Sequence, residues 1–436
     1  MNSMIYHFVA EETEAGLDFE INLDKDKRIY CFIGDNAVGK TLMLENMAKS
    51  LLYCHTFFKK SKTHKYSGIF FETIIYDAIK DYLLPLASGN IILNQVKMKF
   101  KNQSGVIEFK ELSNRHVPIN VSIDKPIVFV GAKNRGYTKN IDKNHITILG
   151  NKIDRFLDAF IRSFNYMNGN SVEKTEIADW FNSRLIINPN FVPKNQNRVF
   201  EVETVLKLMQ KLEPSLDLMT EKDGVTNFKI QFDEGKLYID SVPIDKLSTG
   251  FVSIIKLFQE IIAAYGGWSG LVDEKDLSHV EGIVFIDEIE SHIHPKWQSR
   301  IISLLQESFP KTTFYIATHS PVIISMTDEG SAYELLREGK KVTCSKLGNP
   351  KEWYLADVFA SAFHVDFTKS IVISENEGSN LIQMLKNFSI KVKDYVNNQD
   401  ENLKREAEIL YQKILPSLAK DDARRRSLDS LRSLLG

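Results

Sequence analysis

The chain has 436 residues, 43% of them apolar and 26% charged, with a net charge of −2; that is enough apolar material for a core and length for two or three domains. The charge balance excludes a global pull toward nucleic acid or an acidic membrane and leaves only a local basic surface open. Cys31, Cys54 and Cys344 stand alone, which excludes a disulfide framework and a CxxC zinc ribbon and suits reduced thiols in a cytoplasmic protein. The opening MNSMIYHFVAEETE lacks a basic leader and an apolar core, so no signal peptide is expected. No run approaches the roughly 18 apolar residues a membrane span needs.

In chain order, residues 29–33 (IYCFI) read as a short buried strand. GDNAVGKT, Gly34 to Thr41, follows, and then a helical stretch with Leu42, Leu44, Met47 and Leu51 on one stripe. Strand, Gly-rich turn, helix is the setting in which this pattern is a phosphate loop. Glycines let backbone N–H groups converge on phosphate oxygens, and the helix N-terminus adds partial positive charge. Gly34, Asn36, Gly39, Lys40, Thr41 and Leu42 are the nucleotide-binding candidates. Lys40 is expected to reach the β and γ phosphates of ATP, with the Thr41 hydroxyl on Mg²⁺. The alternative, a Gly-containing turn with a chance GKT, explains neither the strand nor the helix.

The basic stretch KKSKTHKY (59–66), beside Phe57 and Phe58, reads as a solvated loop, with contact to a DNA backbone as the other reading. Residues 68–85 read as strand then helix, 91–124 as strands, and PIVFVGAKNRG (126–136) as a buried strand leaving into a polar loop. Residues 148–221 read as helical, and NFKIQFDEGKLYID as a hairpin. LSTGF (247–251) comes next. Ser248 and Gly250 look suited to a phosphate, because Ser248 opens a helix carrying Phe251, Ile254, Ile255, Phe258, Ile261 and Ile262 on one face. Gly266 and Gly267 are expected to stop that helix.

GIVFI (282–286) reads as a buried parallel strand. Asp287 and Glu288 at its end sit where ligands bind in open α/β sheets. Asp287 is expected to hold Mg²⁺ and Glu288 to act as general base on the attacking water; an acidic N-cap pair is the plainer alternative. Glu290, His292 and His294 have a zinc-like look. The run leads straight into a helix started by Pro295, which favours a loop shaped by that helix. His319 ends the strand in TTFYIATHSP and is a candidate contact to the γ-phosphate or the water; a strand-end histidine in a polar turn is the alternative. The tail reads as helical, with stripes of Leu403, Ala407, Leu410 and Ile414, and of Leu428, Leu431, Leu434 and Leu435.

GDNAVGKT, LSTGF, IVFIDEIESHIHPKWQ and YIATHSP, in that order, resemble an ABC-type ATPase of the Rad50/SMC-like branch. More closely they resemble ATPases of bacterial anti-phage systems, the OLD-like proteins and the Septu-type and PARIS-type ATPase subunits. The resemblance rests on residues 1–50 and 228–350. It implies an α/β ABC-type head, a P-loop parallel sheet with an antiparallel subdomain, carrying a mixed insertion and a helical C-terminal extension. The expected divisions are 1–54, 55–227, 228–350 and 351–436. It implies that Ser248 and Gly250 contact the γ-phosphate held by a second protomer, so that two copies, or a higher homo-oligomer, sandwich ATP. The family usually has Gln or Glu after the signature; here it is Phe251. The family also places a residue sensing Mg²⁺ or water after the strand at 126–130; with no Gln there, Lys133, Asn134 and Arg135 are the candidates.

The Lys40–Ser248 span is too long for a transporter ATPase domain, and it carries no sustained heptads and no CxxC hook of a repair-type SMC protein. OLD-like proteins carry a nuclease whose opening resembles IVISENEGS (371–379), but no later pair of acids on a strand follows; only Asp421 and Asp422 do. The implied function is an ATPase that senses infection by a phage-derived trigger and restrains or activates a separate effector nuclease encoded nearby. The alternatives are a DNA clamp like the RecF-type repair ATPases and, behind it, a self-sufficient nuclease using Glu375 and Asp421.

Overall fold

The computed structural model describes residues 5–13, 15–53, 55, 90–94, 96–103, 106–111, 123, 125–133, 135–136, 149–167, 177–185, 197–222, 225–233, 236–272, 277–353, 358, 381–398, 400–417, 428–429, 431–432 and 435. The chain divides into two compact units, Met1–Val358 and Phe359–Gly436. The fold of the first is α/β. Its strands are β1 (His7–Ala10), β2 (Asp18–Asn22), β3 (Ile29–Ile33), β4 (Asn90–Leu93), β5 (Val96–Gln103), β6 (Val106–Glu111) and β7 (Ile127–Val130). Later in the chain come β13 (Ile283–Ile286), β14 (Thr313–Ala317), β15 (Ala332–Glu338) and β16 (Lys341–Lys346). Between them lie two small hairpin sheets, β8 (Met219–Lys222) with β9 (Val225–Phe228), and β10 (Ile230–Asp233), β11 (Lys236–Ile239) and β12 (Val242–Pro243).

One sheet of eleven strands runs in the order β6-β5-β4-β1-β2-β16-β15-β3-β14-β13-β7. From β15 to β7 every pair is parallel; the other half is antiparallel apart from β16 with β2. The antiparallel part expected as a subdomain is thus continuous with the phosphate-loop sheet, and it recruits β4–β6 from the stretch read as an insertion.

Parallel strands need both faces covered, and their sequences show it: all of Ile29–Ile33, Ile283–Ile286 and Ile127–Val130 is buried. Register stacks one aromatic ring per strand across this half. Tyr30 faces Tyr315 at 5.2 Å, Tyr315 faces Phe285 at 5.0 Å, and Phe285 faces Phe129 at 6.3 Å between ring centroids. Aromatic pairs at such centroid separations each contribute roughly 0.5–1.5 kcal/mol beyond their buried area. The phenol oxygen of Tyr315 accepts from Ile5 N at 2.6 Å, so the ring costs no unpaired polar atom.

The helices of this unit are α1 (Lys40–Tyr53), α2 (Lys152–Met167), α3 (Ile177–Leu185), α4 (Val199–Leu212), α5 (Thr249–Val272), α6 (Pro295–Ser308) and the short α7 (Pro321–Ile324). Met219–Lys222, at the end of the stretch read as helical, is strand instead, because it pairs with Val225–Phe228. The hairpin expected over 227–240 closes with Asp233 opposite Lys236.

Gly266 and Gly267 do not stop α5. The helix runs through them to Val272. They are places of close approach: a Cβ on Gly266 would lie 2.2 Å from Glu201 Oε1 of α4, and one on Gly267 would lie 3.0 Å from the Phe156 Cα of α2. The missing side chains let three helices pack, which outweighs the roughly 1 kcal/mol each glycine costs in a helix.

The second unit contains α8 (Leu381–Asn398) and α9 (Glu401–Ile414). Phe388, Val392, Tyr395, Ala407, Tyr411, Ile414, Leu428 and Leu435 form its core, with Leu403, Leu410 and Leu431 packed against it. The described leucines of the tail's stripes pack within this unit. Cys54, the basic stretch 59–66, the strand and helix read at 68–85, Glu375, Asp421, Asp422 and Leu434 lie outside the described residues. Among the described residues, no helix is long and apolar enough to cross a membrane.

Candidate functional site

Strands β3, β14, β13 and β7 are parallel neighbours, so their C-terminal ends deliver side chains to one edge of the sheet. From β3 comes the loop Gly34–Thr41. Gly34 has φ +156°, and a Cβ there would lie 2.9 Å from the Leu335 carbonyl of β15. Gly39 has φ +107°, with Leu17 3.0 Å from where a Cβ would stand. Both positions demand glycine. Asn36 is exposed and Leu42 half-buried on the first turn of α1. Lys40 is buried, and its ammonium donates to the loop's own carbonyls, Gly34 O at 2.7 Å and Asp35 O at 3.0 Å. Burial holds Lys40 below its ordinary pKa, opposed first by Glu290 and then by Asp287.

Asp287 ends β13 and reaches the loop. Thr41 Oγ1 donates to both carboxylate oxygens at 3.0 Å each. Burial pushes the Asp287 carboxyl up to about 6, against the pull of the Thr41 bond, and neighbouring Glu288 adds to the rise. A hydroxyl and a buried carboxylate, both hard oxygen donors, fit Mg²⁺, and a carboxylate desolvated to this degree is favoured by a cation beside it. Glu288 sits in left-handed backbone at φ 44°, and its Oε2 accepts from Ser291 Oγ at 3.0 Å.

His319 follows β14 and is half-buried. Burial and then the Lys40 charge hold its pKa down, against the pull of Glu290 and Glu288. Its placement depends on a residue the sequence did not single out for this work. Glu290 Oε2 accepts from Thr318 Oγ1 at 2.7 Å, and Oε1 accepts from the His319 amide. Ser320 then caps α7 and donates to Gln298 Oε1 at 2.6 Å. An acid two residues past an Asp-Glu pair was the only signal, and the neighbouring histidines obscured it. Those histidines have other neighbours: His294 caps α6 through Nδ1, and the His292 ring lies against Gly136.

The signature opens α5. Ser248 and Thr249 are exposed, and Ser248 Oγ accepts from Phe251 N at 3.3 Å. Its hydroxyl proton is left to donate outward. Gly250 is forced by close approach, since a Cβ would lie 2.5 Å from the His292 carbonyl. Phe251 is buried, with its ring 6.4 Å from that of Trp297; an aromatic here packs α5 on α6, where the usual Gln or Glu would have offered a polar group.

Of the sensor candidates, Lys133 is exposed and Asn134 lies outside the described residues. Arg135 is fully buried, and its guanidinium faces backbone carbonyls of the loop after β13, not the Thr41–Asp287 pair. Its hydrogen bonds go to that loop and to Ser253 of α5.

Residues 189–325 match the family model described as "AAA domain, putative AbiEii toxin, Type IV TA system". The chain is 31% identical over 147 residues to the "Retron Ec83 probable ATPase" of Escherichia coli, a match covering 32% of this chain and 26% of that protein. It is 23% identical over 368 residues to the Septu protein PtuA of Bacillus thuringiensis, covering 80% of this chain and 82% of that one. The chain thus spans about a quarter of the retron relative's length and most of the Septu relative's. Among solved structures, an SMC head bound to the C-terminal winged-helix domain of ScpA is 11% identical with a TM-score of 0.41, covering 79% of this chain and 97% of that one. The Septu-type resemblance drawn from the motifs is met by these relatives.

Proposed function

We propose that this chain binds and hydrolyses ATP as the sensor and scaffold subunit of an anti-phage defence complex. The observation that carries the ATPase reading is the meeting of Thr41 with Asp287 beside Lys40, Glu288 and His319 at one sheet edge. ATP entering the loop displaces Lys40 from Gly34 O and Asp35 O onto phosphate oxygens, which relieves the desolvation of its charge. Thr41 and Asp287 would hold Mg²⁺, which when bound neutralises charge on the β and γ phosphates. Glu288 takes a proton from the water as its oxygen bonds to the γ-phosphorus and the bond to ADP breaks. His319 donates to the γ-phosphate or the water, its backbone held in place through Glu290. The exposed Ser248 and Thr249, with Gly250 behind them, support a contact to the nucleotide of a second copy. Charge-assisted bonds of this kind contribute roughly 1.5–3 kcal/mol each, enough in pairs to favour an ATP-bound dimer. The Septu and retron relatives support the defence role; the separate effector nuclease is part of the proposal.

Two variants test this. Lys40→Ala should lose ATP binding, while Glu288→Gln should keep it and turn over at least about a hundredfold more slowly, as expected for a missing general base. Undiminished affinity in the first, or wild-type turnover in the second, would overturn the assignment.

A further inference from the structure

Arg135 carries a charge into the interior without a carboxylate among its hydrogen-bond partners. It is 0% exposed. Its Nη1 donates to Asp287 O at 3.1 Å, and its Nη2 donates to Ile289 O at 3.3 Å and to Glu288 O. The remaining Nε donates to Ser253 Oγ of α5 at 3.0 Å, and Ser253 Oγ donates onward to Ser291 O at 2.9 Å. One planar fork thus grips three successive carbonyls and the helix that begins at the signature. The gripped segment includes Glu288, whose φ of 44° is a conformation non-glycine residues rarely hold unless their surroundings fix it. Gly250 in the signature meets the His292 carbonyl of the same loop, so the loop and the start of α5 touch at two separate places.

We propose that Arg135 is a positioning residue that holds the Glu288 backbone in its working conformation and locks the loop bearing the general base to the signature helix. The inference rests on the ATPase reading above. If the loop shifts on hydrolysis, Ser253 links that shift to the helix that starts at Ser248 and Gly250, the segment proposed above to meet the other copy's nucleotide. Each site then reports its state to its partner through a rigid link within one chain. Lysine cannot replace this fork: a single ammonium lacks the fixed planar geometry that spans carbonyls and hydroxyl together.

The test uses full-length wild type, Arg135→Lys and Ser253→Ala, reading affinity for a fluorescent ATP analogue, kcat against ATP concentration, and thermal midpoint. Arg135→Lys should lower kcat by more than about tenfold with affinity changed less than about threefold, the split expected when only the reacting geometry is lost. Ser253→Ala should keep affinity, lower the thermal midpoint slightly because the buried Arg135 Nε loses its partner, lower kcat modestly, and reduce the ATP dependence from cooperative to simple saturation. Cooperativity unchanged in Ser253→Ala, or affinity and kcat falling together with the thermal midpoint, would overturn the proposal. Should Arg135→Lys fail to fold, Ser253→Ala decides alone. A wild type that binds no ATP or shows no turnover would overturn the ATPase reading itself, which distinguishes the two failures.

Discussion

His55 is 1% exposed just beyond α1, with its Nε2 3.1 Å from the Lys125 carbonyl and the rings of Phe160 and Trp268 edge-on around it. Burial pushes its pKa down to about 4. Its unfolded value is near the ordinary 6.5, so between these two values the unfolded chain takes a proton that the folded chain refuses. The stabilising contribution is complete above pH 6.5 and is lost as pH falls toward 4, about 3 kcal/mol in all. Denaturant titrations of wild type should therefore lose stability more steeply from pH 6.5 to 4.5 than those of His55→Phe. Parallel slopes would show that His55 is not buried neutral. At this scale the sequence was most legible where chemistry is local. Lys40 and Thr41 are fixed by the loop that contains them, and Asp287 and Glu288 by the strand before them. Arg135 and Glu290 were not legible in the same way. Their work is to hold main-chain groups supplied by distant segments, and nothing in their own neighbourhoods names those partners.

The same contrast recurs for whole elements. Strands β3, β13 and β14 announce themselves as apolar runs, because a parallel strand is buried on both faces. Helix α5 announces its start and misleads about its end. Gly266-Gly267 reads as a stop only if the residues that fill the glycine spaces are unknown, and these come from α2 and α4. Glu201 of α4, fully buried, accepts from Arg184 Nε at 2.5 Å and Arg198 Nε at 2.7 Å, while Arg198 also donates to the Gly266 carbonyl. Helix propensity alone predicts that Gly266→Ala stabilises by up to about 1 kcal/mol. The structure predicts the reverse sign. The new methyl would displace Glu201 from two buried arginines, and disrupting such a pair costs roughly 3–5 kcal/mol. Thermal denaturation of Gly266→Ala decides between them: a higher midpoint than wild type would contradict the packing described here. The union of the antiparallel strands with the parallel half was likewise not readable, since the β16–β2 seam joins residues more than three hundred positions apart.

For the molecule as a whole, the proposed mechanism needs more than one copy. On that proposal the phosphate loop, Asp287, Glu288 and His319 would supply one half of a nucleotide site, and the signature segment of a second chain would complete the other. ATP is then a ligand of the dimer, and loss of the γ-phosphate removes the contacts that join the copies. The proposed scaffold role adds a further subunit bound to that pair. The most direct measurement is the native mass of Glu288→Gln with ATP and Mg²⁺, co-expressed with the products of its flanking genes. The account predicts two or more copies together with a neighbour's product, and separation of the copies when ATP is withheld. A monomer in saturating ATP would contradict the shared-site mechanism, and a bare dimer would contradict the scaffold role.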